Sequence, residues 1–140
     1  MDCLKLENQL CFPLYAASRE VIKKYKPYLD EIDLTYTQYI VLMVLWEENN
    51  INVKALGEKL FLDSGTLTPL LKKLEQKGYI ERKRSNNDER NLLVSITKEG
   101  IKLKNQAKEI PSKVGGCVNL TKEEALKLYE ILYKILGKDS

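Results

Sequence analysis

The stretch from Asp63 to Gly78 constrains this chain more than any other. Its apolar residues, Leu67, Leu70, Leu71 and Leu74, fall at i, i+3, i+4 and i+7, the spacing of a helix with one buried face. At about 100° per residue, the opposite face carries Gly65, Thr68, Pro69, Lys72 and Gln76, with Thr66 and Lys73 on its flanks. That face holds no acidic group. It is small and hydroxyl-bearing at its start and basic further on, so it can lie close to a polyanion and reach base edges with short polar groups. Taken alone it also fits an ordinary amphipathic helix with a solvated outer face, so its neighbours must decide.

The chain has 140 residues, enough for one compact domain with its own core. A net charge of only +3 makes the global case for nucleic acid weak, so a basic patch must be local. No apolar run approaches the roughly 20 residues that span a membrane, and the start of the chain lacks the apolar core of a secretion signal. A cytoplasmic protein with no membrane partner is expected. There is no histidine, which removes Ser-His and Cys-His catalysis and every histidine-based metal site. Cys3, Cys11 and Cys117 lack zinc-site spacing, and no phosphate-binding glycine loop is present, so neither a cofactor nor a metal is expected.

Residues from about 6 to 26 read as a helix through Leu10, Leu14, Ala17, Val21 and Tyr25, closed by Pro27. Pro13 either kinks this helix or marks its start. Thr35 to Gln38 has capping-box form and opens a helix apolar on most sides, from Tyr39 to Trp46, which Asn49-Asn50 ends. Asn52 caps a shorter third helix containing Val53, Leu56 and Leu60. In the next helix Asp63 is the natural cap, which leaves Pro69 inside; alternatively Thr68 caps and Pro69 begins the helix. Gly78 stops it.

Tyr79–Arg84 and Asn91–Thr97 alternate as strands around the turn-like Ser85–Arg90, giving a β-hairpin. Thr97 caps a helix to about Ile110, interrupted by Pro111 and Gly115-Gly116. Thr121–Glu124 is a second capping box, opening a last helix to about Leu136.

A core helix, a short helix, a polar-faced helix and a β-hairpin, in that order, make a winged helix-turn-helix. The expected fold class is mainly α with a small β-hairpin, the winged domain being flanked by N- and C-terminal dimerisation helices. In such a unit the third helix enters the major groove and the hairpin reaches phosphates or the minor groove. Arg82, Lys83, Arg84 and Arg90 place the missing positive charge beside that helix, although a solvated hairpin would also carry arginines.

Leu62 to Lys72, together with Asp88-Glu89-Arg90, resembles the DNA-binding lobe of MarR-type repressors, and is most like the organic-hydroperoxide-sensing OhrR/SarZ-like branch. The resemblance covers nearly the whole chain. Asn8-Gln9-Leu10-Cys11-Phe12 with Tyr15 is similar to that branch's sensor segment, and Tyr25 and Tyr36 fall where its thiol-binding tyrosines stand. The resemblance implies one domain over residues 1–140, with a winged lobe at about 35–97 and helical dimerisation regions at about 6–27 and 98–138. It implies that Ser64, Thr66, Thr68 and Lys72, with Pro69 on the same face, meet operator DNA. It also implies that Asp88 pairs with Arg90 to shape the wing while Arg90 enters the minor groove. The first and last helices would intertwine with those of a second copy. Apolar stripes on both terminal helices support a homodimer independently, because one winged lobe cannot cover them.

Three roles compete for Cys11: a small buried residue, a peroxidatic sensor thiol and a catalytic nucleophile. The last lacks a histidine or an adjacent cation. A sensor needs a thiolate, which a helix N-terminus and nearby hydroxyl donors favour, and Tyr25 and Tyr36 are those donors, from the same or the partner chain. The resemblance favours the sensor, with organic hydroperoxide as oxidant. It also suggests a two-cysteine route, with Cys117 of the other subunit closing a disulfide on Cys11. In the one-cysteine rival a low-molecular-weight thiol caps Cys11 and Cys117 is a bystander. Cys3, near the terminus, is read as incidental. The expected function is a redox-sensing repressor, not an enzyme. Its rivals are a repressor released by a lipophilic or aromatic ligand with Cys11 structural, a thiol peroxidase, and a redox protein with no DNA role.

Overall fold

The computed structural model describes residues 2–85 and 88–138, with only the backbone course given for Ser85 and for residues 88–90. A 3-10 turn over Leu6–Asn8 precedes α1 (Cys11–Glu31). Next come α2 (Tyr36–Glu47), β1 (Ile51–Asn52), α3 (Val53–Leu60), α4 (Ser64–Gln76), β2 (Ile80–Ser85) and β3 (Asp88–Ile96). The chain ends with α5 (Lys98–Ala107), α6 (Ile110–Gly115) and α7 (Lys122–Ile135). It forms two compact units, residues 1–110 and 111–140. Among the described residues no helix is long and apolar enough to cross a membrane.

The order is that of a winged helix-turn-helix, as expected, with differences that have local causes. Pro27 does not close the first helix: α1 runs through it to Glu31. Proline forfeits one helical hydrogen bond and crowds the preceding turn, a cost that tertiary packing can meet. Leu29, on that last stretch, is 2% exposed. Pro13 is the third residue of α1 and so marks a start; first-turn amides have no partner within the helix to lose. Residues 2–9 are laced together: the Asn8 side chain donates to the Asp2 carbonyl and the Gln9 amide to the carbonyls of Cys3 and Lys5, each at 2.8 Å.

Both capping boxes form, at Thr35/Gln38 and Thr121/Glu124, and Asn52 and Thr97 accept from the first-turn amides of their helices. Asp63 is the N-cap of α4, and Pro69 lies inside that helix, so the alternative start at Thr68 is overturned. The buried stripe of α4 is Leu67, Leu71 and Leu74. It joins Val41, Leu42 and Leu45 of α2, Leu56 of α3, Ile80 of β2 and Val94 of β3 in a core in which every residue is at most 1% exposed. Gly78, at φ +86°, turns the chain from α4 into β2, a conformation that glycine adopts without a Cβ clash.

The hairpin is longer than its alternation suggested, since residues 88–90 continue β3 where turn chemistry was expected. A third strand was not foreseen. β1, two residues long, pairs antiparallel with β3 (Ile51 opposite Val94), giving the strand order β1-β3-β2. The segment from Lys98 to Ile110 divides into α5 and the start of α6, with Pro111 in the first turn of α6.

Gly100 sets the approach of α5 to the wing. Its carbonyl accepts the Trp46 indole N–H at 2.9 Å, and a Cβ added there would lie 2.4 Å from the Tyr79 carbonyl oxygen and 2.6 Å from Ile96 Cγ1. Gly100→Ala should destabilise the fold by about 3 kcal/mol despite alanine's better helix propensity, because a backbone oxygen cannot swing aside. Thermal unfolding followed by circular dichroism should show a fall of roughly 10 °C in Tm.

Candidate nucleic-acid interface and sensor thiol

α4 presents two unlike sides. Ser64, Thr66, Thr68, Pro69 and Lys72 are all exposed; Thr68, Pro69 and Lys72 lie opposite the buried leucines, Thr66 on the flank and Ser64 at the first residue of the helix. Pro69 has no N–H, so the Gly65 carbonyl one turn earlier loses its usual helical donor. The Asp63 carboxyl is held below the usual carboxylate range, first by the Thr66 side chain and then by backbone amides of that turn. Among the named polar groups the face is thus hydroxyl-rich at the helix N-terminus, where the dipole also favours an anion, and cationic further on.

The wing arginines separate. Arg82 is turned back to α4: its guanidinium meets Glu75 Oε1 at 3.1 Å, and its backbone N–H donates to Glu75 Oε2 at 3.0 Å. The Arg82 side chain is only 21% exposed. The same contacts hold the Glu75 carboxyl below its ordinary range. Arg82 therefore ties the root of the wing to the end of α4, whereas Arg84, further out, is exposed. The side chains of Asp88 and Arg90, expected to pair and to enter the minor groove, lie outside the described residues.

Cys11 is exposed at the first residue of α1, beside an open groove lined by Leu6, Gln9, Phe12 and Pro13. One turn on, Tyr15 packs under the Arg19 guanidinium, 5.5 Å from its ring centre. Tyr25 and Tyr36 do meet, ring centres 4.9 Å apart and edge to face. Tyr39 joins them at 5.9 and 6.2 Å and reaches Trp46 at 6.5 Å. Burial raises the phenol pKa of Tyr25; burial and then Tyr25 raise that of Tyr36; and the Tyr39 phenol is pushed up to about 12, chiefly by burial. All three hydroxyls therefore stay protonated, and able to donate, at neutral pH.

The structure does not bring this cluster to the cysteine of its own chain. Tyr25 is fourteen residues beyond Cys11 on one helix, about 21 Å along its axis at 1.5 Å per residue. Same-chain support of the thiol is ruled out by that length. The periodicity of α1 already contained this distance, but a sequence spacing does not say which copy supplies the donor. Cys117 lies just past α6, in the second unit. It is exposed, with its thiol donating to the Lys113 carbonyl at 3.4 Å and its amide to that of Val114 at 2.8 Å. Sequence reasoning missed Glu75 and Lys77 as holders of the end of α4, and Tyr39 as a member of the tyrosine cluster. The ring spacing of residues 36 and 39, one turn apart, was the available signal for the last.

Comparison with known proteins agrees with this geometry. The model of the SarA/Rot transcriptional regulators matches residues 23–107. The chain is 52% identical over 135 residues to the organic hydroperoxide resistance transcriptional regulator of Bacillus subtilis, covering 96% of this chain and 92% of that protein. It is 50% identical over 134 residues to the HTH-type transcriptional regulator SarZ of Staphylococcus epidermidis, covering 96% and 90%. Among solved structures, reduced AbfR bound to DNA superposes with a TM-score of 0.77 at 38% identity, covering 94% of this chain and 91% of that one. AbfR, from Staphylococcus epidermidis, has also been solved with its disulfide formed. With a winged helix-turn-helix whose α4 offers an acid-free outer face, and with these relatives along nearly its full length, the chain belongs to the SarA/Rot family of MarR-type transcriptional regulators.

Proposed function

We propose that this protein is a redox-sensing repressor that binds palindromic operator DNA as a homodimer and lets go when organic hydroperoxide oxidises Cys11. The observation that carries this reading is the separation of Cys11 from the tyrosine cluster on one helix. A two-fold partner whose α1 runs antiparallel brings the Tyr25–Tyr36 pair of one copy to the thiol of the other, so the sensor is complete only in the dimer. The exposed apolar residues on both terminal helices, among them Leu10, Phe12, Leu14, Leu128, Ile131 and Ile135, are the surface such a partner covers. The relatives named for organic hydroperoxide resistance, and the relative solved on DNA and in a disulfide state, favour the same chemistry.

In the first step the Cys11 thiolate attacks the distal peroxide oxygen. The O–O bond breaks, the alkoxide takes up a proton and leaves as an alcohol, and Cys11 becomes a sulfenic acid. In the second, a thiol displaces hydroxide from that sulfur, and a disulfide and water result. Cys117 of the partner subunit is the thiol we favour, because it stands exposed in the short break between α6 and α7. A small cellular thiol is the rival. Either product no longer fits the pocket that held the thiolate, and the dimer helices shift. Ser64, Thr66, Thr68 and Lys72 contact the operator from α4, with Arg84 and Arg90 contacting it from the wing.

The deciding experiment is intact mass and a non-reducing gel after one equivalent of cumene hydroperoxide, with no small thiol present. A covalent dimer mapping to Cys11–Cys117 is the expected result. A sulfenic monomer would assign completion of the switch to a small thiol, and an unmodified Cys11 would overturn the sensor reading.

A further inference from the structure

The C-terminal end of α4 is held from two sides. Glu75 fixes it to the wing through Arg82, as described above. On the other side stands Lys77, the residue just past α4, and three acceptors from a distant part of the chain converge on its ammonium. The Asp33 carbonyl accepts directly from it. Asp33 Oδ2 lies 3.4 Å away, and Gln38 Oε1 also lies 3.4 Å away. Asp33 sits in the joint between α1 and α2, in the left-handed region at φ +52°. Gln38 is 4% exposed, and its Oε1 also accepts the Thr35 amide of the capping box at 3.0 Å. One cation therefore bridges a carbonyl in the α1–α2 joint and a buried side-chain oxygen at the beginning of α2.

We infer that Lys77 is a positioning residue: it ties the end of α4 to the α1–α2 joint, so that displacement of α1 is carried to the DNA-facing side of α4. Apolar packing of α4 against α2 holds the two helices together, but hydrophobic contact has little directional preference. Hydrogen bonds to a fixed carbonyl and a fixed amide oxygen are directional, and they orient the helix end about that contact. The energy of the pair is not the point, since the Asp33 side chain is 94% exposed and its charge is largely screened. The exposed Lys77–Asp33 ion pair alone would be worth little; the backbone and Gln38 acceptors make the link specific.

The test uses the full-length chain and a duplex enriched from a random-sequence library with the reduced wild-type protein. Affinity is measured by fluorescence anisotropy across a salt series, before and after cumene hydroperoxide. Lys77→Met should weaken binding of the reduced form by about 2- to 30-fold with an unchanged salt slope, and should shrink the loss on oxidation by a similar factor. Lys77→Arg should restore both quantities, and Asp33→Asn should move them the same way but less. Tm should stay within about 4 °C of wild type in each variant.

A salt slope lower by about 2, one phosphate contact for each copy in a dimer, would make Lys77 a DNA-backbone ligand and overturn the inference. Unchanged affinity and release in Lys77→Met would overturn it as well. The oxidation arm rests on the proposed sensor, whereas the salt-series arm on reduced protein does not. A wild type that keeps its DNA after oxidation therefore counts against the sensor, and Lys77 is then decided by the reduced arm.

Discussion

Cys11→Ser holds operator DNA after hydroperoxide treatment, whereas the wild-type protein loses it. That is the expected result of an anisotropy titration on oxidised samples, and it is the largest effect the sensor reading allows. A coupling of about 2–3 kcal/mol between the thiol and the DNA-facing helices would weaken wild-type binding some 30- to 150-fold. Serine keeps the size of cysteine and its place at the start of α1, but its hydroxyl does not form a sulfenic acid. The variant should change by less than about twofold on oxidation while binding as wild type when reduced. The same variant separates the rivals. If an aromatic ligand bound beside the dimer helices were the true effector, Cys11→Ser would still be released by that ligand. If the protein were a thiol peroxidase, wild type would turn over many equivalents of hydroperoxide with a reductant; a sensor consumes about one per site. Cys117→Ser then divides the two routes to completion. It blocks the covalent dimer, but it leaves release intact where a small thiol caps Cys11.

Ile131→Asp is expected to lower operator affinity by about 10²- to 10⁴-fold without unfolding the winged lobe. Ile131 lies on α7 and is 54% exposed in the single chain, in a stripe with Leu128 and Ile135. A carboxylate placed in a face that a second copy covers must be desolvated on association, which is costly without a partner. Loss of the dimer removes the tether between two recognition helices, and with it the effective concentration that makes the second half-site contact intramolecular. Size-exclusion chromatography with light scattering should find wild type at twice the chain mass of 16.2 kDa and the variant at that mass. Residue 131 belongs to the second compact unit, so the first unit should still fold, with its Tm lowered only by loss of the stabilisation that the partner gives. A variant that stays dimeric, or a monomeric variant with wild-type affinity, would remove the two-fold arrangement on which the sensor depends.

Much of the helical framework was legible in the residues themselves. The caps at Thr35, Asn52, Thr97 and Thr121 are local chemistry: a side-chain oxygen bonds an amide three residues ahead, and no distant partner decides it. The leucine spacing of α4 fixed which side is buried, and thereby that Thr68, Pro69 and Lys72 lie on the other. Gly78 marked its end for a reason equally local, its positive φ.

The tertiary structure decided features that depend on residues far apart in the chain. Pro27 is a local signal to stop, yet α1 continues through it while Leu29 packs in the core. β1 exists only because β3 lies beside it, and a two-residue strand has no periodicity to read. Arg82 and Arg84 look alike in sequence, but only the nearness of Glu75 turns Arg82 inward. Lys77 looked like one more cation at a helix end until Asp33 and Gln38, 44 and 39 residues away, converged on it. The residues by themselves determined the helices, their caps and the two faces of α4, because those follow from spacing and neighbouring chemistry. Only the tertiary structure could set Tyr36 and Tyr39 of α2 against Tyr25 of α1, because between helices a sequence records order along the chain and not distance in space.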